Sequence, residues 1–413
     1  MSAVRAILHS DMNSFYASVE MMLDPKLRGK AVAVCGSTEN RHGIVLAKSE
    51  LAKRAGVKTG MVNWEAKQRC KDLIFVPPQY DQYLKYSKLA HEIYYRYTDL
   101  VEPFGMDECW LDVTGCEIYG KPLEIAEEIR QSVKEELGLT VSIGVSFNKI
   151  FAKLGSDLKK PDAITVITKQ NFKKNIWPLA ASELLYVGSA TTKKLASYGI
   201  KTIGDLAATE PSTLKYMFGI NGLKLWRYAN GTDESRVMQK DFVSPVKSVG
   251  HGITCTADLD NEEEVFHVLL ELSQDVGHRL RVHGLAATGV QIFVRNKSLY
   301  STQYQDKLPF KTQLPSEIAA AGFQLFKEHY IWTEKVRAIT IRAIDLIPQT
   351  TEEQLSLMVD YERRDRRVRL EDAIEDLRRR FGKKSLTYAG LLGNLKMPDD
   401  GRDGVKMPGL MYQ

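Results

Sequence analysis

The chain has 413 residues, room for roughly two to four domains of ordinary size, and no apolar stretch approaches the ~18–20 residues of a membrane span. Its 57 Lys and Arg against 52 Asp and Glu leave a net charge of +5, a mild excess that suits a polyanionic partner without requiring one. Cys35, Cys70, Cys109, Cys116 and Cys255 are odd in number and lack CxxC spacing, which argues against a disulfide frame or a zinc site, and no signal peptide precedes Met1-Ser2-Ala3-Val4, so a reduced, cytoplasmic protein without membrane contact is expected.

In chain order, a short apolar strand at Arg5–Ser10 leads into a helix beginning near Asn13, and a second strand is predicted at Ala31–Cys35. Gly43–Met61 reads as a strand running into a helix that stops at Gly56. Tyr83, Tyr86, Leu89, Ile93 and Tyr97 fall on one side of an amphipathic helix predicted over Tyr80–Asp99. Another helix, Glu124–Leu137, is ended by Gly138, and Val141–Ser146 is a short apolar strand.

Past Val166 the texture changes. Val166–Ser244 holds eleven Lys and Arg against six acids, whereas Pro245–Ile347 holds eleven against twelve. Leu185–Leu195 followed by Tyr198-Gly199-Ile200 has the shape of a helix-hairpin-helix, whose tight turn offers backbone N–H groups to a DNA phosphate. An ordinary helix–turn–helix connection explains the same residues equally well, and the usual second hairpin glycine is replaced if Ala190 is its position. Gly219-Ile220-Asn221-Gly222 repeats the theme. After a linker around Val237–Val246, strands such as Thr288–Val294 and Val336–Ile344 alternate with helices at Glu262–Val282 and Pro315–His329 in a βαββαβ-like rhythm. Tyr361–Phe381 is dense in Arg and acid and reads as a solvated helix, with a second DNA-binding element as the alternative.

Chemistry concentrates at two places. Asp11 follows the first strand directly, and Asp107-Glu108 lies in the run Val101–Thr114; two such strands side by side would bring three carboxylates to one point. Like charges a few ångströms apart cannot all stay ionised without a cation among them. Mg²⁺ is the usual solution, since it takes oxygen ligands at ~2.0–2.1 Å and completes its shell with substrate phosphates. A bare Asp-Glu pair is more often a solvated turn, so the flanking residues decide. Asp112, five residues after Asp107 and on the opposite face of an extended strand, is left out.

Those flanks are distinctive. DMNSFYASVE (Asp11–Glu20), MDECWLDVTG (Met106–Gly115) and SFNKIFAKLGSDLKKPD (Ser146–Asp162) resemble, in order and spacing, the three core motifs of Y-family translesion DNA polymerases. The resemblance covers residues 5 to 350. It implies an α+β multidomain right-hand polymerase: palm at 1–14 and 79–167, fingers at 15–78, a helical thumb at 168–236, a linker at 237–246, a little finger at 247–347 and a tail at 348–413. The implied activity is template-directed addition of deoxynucleotides to a primer 3′ end by two-metal phosphoryl transfer, at low fidelity and past damage. The alternative is a catalytically inert DNA-binding or recruitment protein on the same fold; the presence of Asp11, Asp107 and Glu108 favours the enzyme.

The resemblance also implies roles. Asp11 and Asp107 would bridge two Mg²⁺ ions, with Mn²⁺ as a possible substitute; Glu108 would serve the ion that activates the primer hydroxyl, and the Met12 carbonyl would complete a shell. Asn13 stands where relatives often carry an acid. Tyr16 occupies the place of the steric gate against ribose, with Phe15 its rival neighbour, expected to face the core and included among the nucleotide-binding residues. Lys160, or Lys159 one place earlier, would reach the triphosphate. Lys53 stands where many relatives have arginine, and Glu50 replaces a tyrosine that usually contacts the triphosphate. Leu46-Ala47-Lys48-Ser49 and Lys53 look closer to DNA polymerase V catalytic subunits than to DNA polymerase IV. Gly188, Ser189 and Lys193 would hold DNA. Gln354-Leu355-Ser356-Leu357-Met358 resembles the peptide that binds the sliding clamp, with Met358 for the common final aromatic; two apolar residues in a loop are the plainer reading. Expected partners are primer-template DNA, deoxynucleoside triphosphates, a sliding clamp and an accessory subunit.

Overall fold

The computed structural model describes residues 5–41, 43–352 and 360–398. Two compact units emerge, one built from 5–36 and 44–244, the other from 37–43 and 245–398.

In the first unit, β1 (Ile7–Met12) passes almost at once into α1 (Phe15–Leu23), because Ser14 adopts a left-handed conformation with φ 49° and turns the chain. β2 (Val32–Cys35), β3 (Val45–Lys48) and β4 (Ile74–Val76) form a small sheet in the order β3-β2-β4. The helices α2 (Glu50–Arg54) and α3 (Asn63–Arg69) close over it around Ala52, Val57, Ala66 and Leu73. α4 (Tyr80–Tyr94) leads back to the main sheet, in which β1 joins β5 (Val101–Pro103), β6 (Glu108–Asp112), β7 (Val141–Ser146) and β8 (Ile164–Val166) in the order β5-β6-β1-β7-β8. α4 ends at Tyr94, short of the Asp99 expected from periodicity. There Thr98 donates to the Asp112 carbonyl and accepts the Leu100 N–H, capturing the chain for β5, while the Tyr97 ring packs 5.8 Å from that of Tyr119.

β1 lies at the centre of this sheet, and all six of its residues are buried. On one side α4 and α5 (Pro122–Leu137) bury Leu8, Met12, Ile93, Ile129 and Val133. α5 starts on a proline at its first turn and stops at Gly138 in the left-handed region, the start and stop signals such a helix favours. On the other side lies α6 (Lys149–Leu158), capped by Asn148, whose side chain accepts the Phe151 N–H at 2.8 Å. Its approach to β7 depends on Gly144, where a Cβ would fall 1.8 Å from the Ala152 carbonyl oxygen. That proximity is what carries the α6 lysines to the end of β1.

A helical layer follows, made of α7 (Phe172–Ile176), a 3₁₀ turn at Ala181–Glu183, α8 (Ser189–Ser197), α9 (Ile203–Ala208), α10 (Pro211–Phe218) and α11 (Ile220–Ala229) around Ile176, Leu195, Ile203, Leu214 and Leu225. The hairpin before α8 departs from expectation in one respect. Ala190 sits inside α8; the turn residue in the glycine-like left-handed region is Tyr186, with φ 70°.

In the second unit β9 (Val249–Leu259), α12 (Glu262–Val282), β10 (Leu285–Asn296), β11 (Ser301–Thr312), α13 (Pro315–His329) and β12 (Val336–Pro348) follow the βαββαβ order. The strands are antiparallel in the order β11-β10-β12-β9. Both helices pack on one face around Leu269, Ile292, Phe326 and Ile341. The helix α14 (Tyr361–Phe381) is solvated over most of its surface, as its composition suggests, and docks along one side. Arg364 bonds Glu317 of α13 at 3.2 Å, Arg378 bonds Gln274 of α12 at 2.8 Å, and Glu371 is buried beneath Tyr388. The clamp-like peptide Gln354–Met358 lies outside the described residues. Among those residues no helix is long and apolar enough to cross a membrane.

Candidate active site

β1 and β6 run antiparallel with Asp11 directly opposite Glu108, and the Asp107 carbonyl accepts the Met12 N–H at 2.9 Å. Like charges placed opposite one another on adjacent strands repel, so this register is tolerated only because cations come to it. Lys153 of α6 donates to Glu108 Oε2 at 2.7 Å; Lys160, just past the end of α6, donates to Asp11 Oδ2 at 2.7 Å and to Asp157 Oδ1 at 2.9 Å. His9 approaches Glu108 at 3.7 Å, yet burial and the neighbouring Lys153 and Lys160 hold its pKa well below the usual range, so it adds no positive charge.

The lysines do not fully relieve the acids. Burial pushes Asp11 up to about 7, with Glu108 and Asp107 adding to the effect against the opposing pull of Lys160. Asp107 rises to about 6, again through burial first and Glu108 second. Lys160 is raised in turn: burial opposes its charge, but Asp11 and Asp157 outweigh it. Among the described residues no three Asp, Glu, His or Cys side chains close on one metal-sized point. A closed cage is not needed for Mg²⁺, which is ordinarily held by one or two carboxylates together with substrate phosphates. Hard oxygen donors, two of them with pKa raised by burial and by the neighbouring acids, fit that ion. Asp112 is remote: four residues along β6 from Glu108, about 13 Å at strand rise, it accepts from the N–H of Thr114 at 3.0 Å.

At the start of α1 the Tyr16 ring stacks on Tyr83, with centroids 4.2 Å apart and planes 8° from parallel. Tyr83 is itself fixed by its hydroxyl bond to buried Glu20, which also accepts from Gln79 at 2.6 Å. Phe15 is only 3% exposed and belongs to the core behind this pair. Glu50 accepts from Ser14 Oγ at 3.2 Å and lies 3.8 Å from Lys53, whose side chain is half exposed. Gly188, Ser189 and Lys193 are all exposed around the hairpin and the first turns of α8.

Sequence reasoning missed three participants. Lys153 and Asp157 are two of them; their spacing with Lys160 at i, i+4 and i+7 puts all three on one side of α6 and its extension, a signal the sequence does carry. Asn13 is the third. Buried at the strand end, it accepts the Asp162 N–H at 2.8 Å and donates to Ser142 at 2.9 Å, while Arg130 and Lys134 hold the Asp162 carboxylate at 2.7 and 2.9 Å. The loop carrying Lys160 is thereby pinned from both sides.

A Y-family DNA polymerase chimera built from Dbh and Dpo4 shares the architecture, with a TM-score of 0.73 and 24% identity over 83% of this chain and 99% of that one. The fold is thus that of a right-hand polymerase with palm, fingers, helical thumb and little finger. The profile of the impB/mucB/samB family matches residues 10–157, that of its C-terminal domain residues 246–357, and that of the DNA polymerase-iota thumb domain residues 183–233. DNA polymerase IV of Acetivibrio thermocellus is 47% identical over 389 residues, 94% of this chain and 98% of that protein, and DNA polymerase IV 1 of Bacillus subtilis is 37% identical over 389 residues, 94% and 93%. The chain belongs to the Y family of DNA polymerases and is a DNA-directed DNA polymerase. The likeness of Leu46–Ser49 and Lys53 to polymerase V subunits is therefore local, since these relatives carry the polymerase IV name along nearly the whole chain.

Proposed function

We propose that this polymerase performs translesion synthesis by two-metal phosphoryl transfer, in the cytoplasm and at low fidelity. The observation that carries the proposal is the cross-strand pairing of Asp11 with Glu108 beside Asp107, with burial raising the pKa of Asp11 and Asp107. Asp11 and Asp107 would hold both Mg²⁺ ions, Glu108 the one serving the primer hydroxyl, and the Met12 carbonyl would complete a shell; Mn²⁺ could replace Mg²⁺. Two such ions activate the attacking oxygen and stabilise the leaving one.

The chain's own groups do the remainder. Lys160, on its pinned loop, binds triphosphate oxygens, and Lys53 adds charge from the fingers. The first turn of α1 has no side-chain cap, so the Phe15 and Tyr16 amides are available to phosphate, which is how buried Phe15 takes part. The Tyr16 ring bars a ribose 2′-hydroxyl. Gly188, Ser189 and Lys193 take DNA phosphates, and the open face of the little-finger sheet, where Gln291 lies opposite Gln305 and Arg342, offers polar groups to the duplex. Gln354, Leu355, Leu357 and Met358 dock on a sliding clamp, and an accessory subunit is a further partner. An inert DNA-binding relative would be expected to have lost one of the three acids. Primer extension by the purified protein with Mg²⁺, on undamaged and lesion-bearing templates, tests the proposal; failure to extend either one refutes it.

A further inference from the structure

Tyr186 is unusual on two counts. Its backbone lies at φ 70°, where a bulky side chain is a genuine outlier, and the residue is nevertheless 63% exposed, so burial does not compensate for the conformation. Glycine would close the same turn without that penalty. Strain of this kind persists where surroundings over-determine it, and it gathers at sites of binding and catalysis.

The position of the ring supplies the rest. Tyr186 stands on the crest between two clefts. One, of about 360 Å³, runs from Lys153 and Asp157, next to Glu108, along Leu184 to Gly188 at the hairpin. The other, of about 460 Å³, lies between the hairpin and α11 and is lined by Thr191, Phe218, Asn221, Lys224 and Tyr228. Asn221, Lys224 and Tyr228 recur at i, i+3 and i+7 and so share one face of α11. The rings of Tyr186 and Tyr228 are 6.1 Å apart.

We infer that Tyr186 is a primer-strand contact, its ring packing on the sugar and base edge of the strand that leaves the carboxylates along the first cleft. The inference rests on the polymerase reading above. A strand whose 3′ end sits at Glu108 passes the crest before its phosphates reach the amides at Gly188 and Ser189. A phenol ring there adds contact without charge and without reading base sequence, which suits an enzyme that moves along any template. Lys224 on the far side of the crest keeps the surface attractive to the backbone.

The test is equilibrium binding of the full-length protein to a primer-template duplex across a salt series, with thermal melting of the same samples. Y186G relieves the backbone, so its melting temperature should equal or exceed that of the wild type, yet its Kd should rise about fivefold or more, the loss of roughly one aromatic contact to a nucleotide. The log–log salt slope should not move, because no phosphate contact is removed. Y186N, which tolerates the left-handed turn but lacks the ring, should weaken binding like Y186G, and Y186F should bind like the wild type. Y186G binding within twofold of the wild type, a Y186F defect equal to that of Y186G, or a changed salt slope would each overturn the inference. Extension by the wild type separates the two levels: a protein that extends primers while Y186G binds normally refutes only the role of Tyr186, whereas one that never extends refutes the polymerase reading and this inference with it.

Discussion

Replacing Asp107 by Asn should abolish catalysis and stabilise the metal-free protein. A carboxyl held at about 6 in the fold, against 3.8 when exposed, is protonated more readily folded than unfolded. The associated stability is present at pH below 3.8 and is lost as pH rises through about 6. At 1.36 kcal/mol per pKa unit the ionised fold at pH 8 carries a penalty of up to ~3 kcal/mol, and relaxation around the site reduces this to on the order of 1–3 kcal/mol. For a body of about 200 residues each kcal/mol moves Tm by roughly 2–4 °C, so D107N should melt ~2–10 °C higher at pH 8 in EDTA and show no gain near pH 4. Added Mg²⁺ should raise the Tm of the wild type through binding and leave D107N nearly unmoved. Primer extension should fall by several orders of magnitude. Differential scanning fluorimetry across pH, with and without Mg²⁺, reads the first effects and a gel assay the last. A D107N protein that melts lower than the wild type at pH 8, or shows the same gain at both pH values, would refute the view that burial charges this site against the fold.

Tyr16→Ala should admit ribonucleotides, measured as the ratio of rNTP to dNTP incorporation; unchanged discrimination would remove Tyr16 from the gate. Asn13→Ala frees the loop that carries Lys160, so KM for the incoming dNTP should rise about 5–10-fold, the worth of one or two buried hydrogen bonds, while DNA affinity holds; an unaltered KM with a reduced kcat would show that Asn13 does something else. Duplex affinity should fall with salt at a log–log slope of about −0.9 per neutralised phosphate and vary little with sequence, and a strong sequence preference at fixed salt would contradict phosphate-based holding. Changing Gln354, Leu357 and Met358 together to Ala should spare distributive extension and remove stimulation by a loaded clamp; survival of that stimulation would make the peptide structural.

Much of the fold was legible because its signals are local. Gly138 ends a helix whose apolar residues repeat at helical spacing, though the helix starts at Pro122, two residues before the expected Glu124, and the strands of the second unit alternate with regularly spaced helices. What was not legible depends on contacts between distant segments. Nothing in Tyr80–Asp99 announces that Thr98 will bond the Asp112 carbonyl and stop the helix at Tyr94. The Arg-rich run Tyr361–Phe381 has few apolar residues and reads as solvated on that basis. Most of it is solvated; one side docks because Glu317, Gln274 and Tyr388 supply partners for Arg364, Arg378 and Glu371, and polar complementarity of that kind leaves no periodicity in either partner alone.

The acids of the site were legible because each follows or opens a short apolar strand, and the β1–β6 pairing needs only that those strands be neighbours. The cations were harder. Lys153 has the right spacing with Asp157 and Lys160, but its reach to Glu108 depends on Gly144 letting α6 settle onto β7, a property of a residue on another element. Asn13 stands out in the sequence only as a departure from an acid, and an uncharged amide announces no ligand role. Its amide does what a carboxylate could not, accepting the Asp162 N–H and donating to Ser142 at the same time. Tyr186 shows the same limit from the backbone side. A missing hairpin glycine can be suspected from sequence, yet assigning it to Ala190 or to Tyr186 requires φ, because both placements leave Gly188 in the turn and only one leaves α8 its regular first turn.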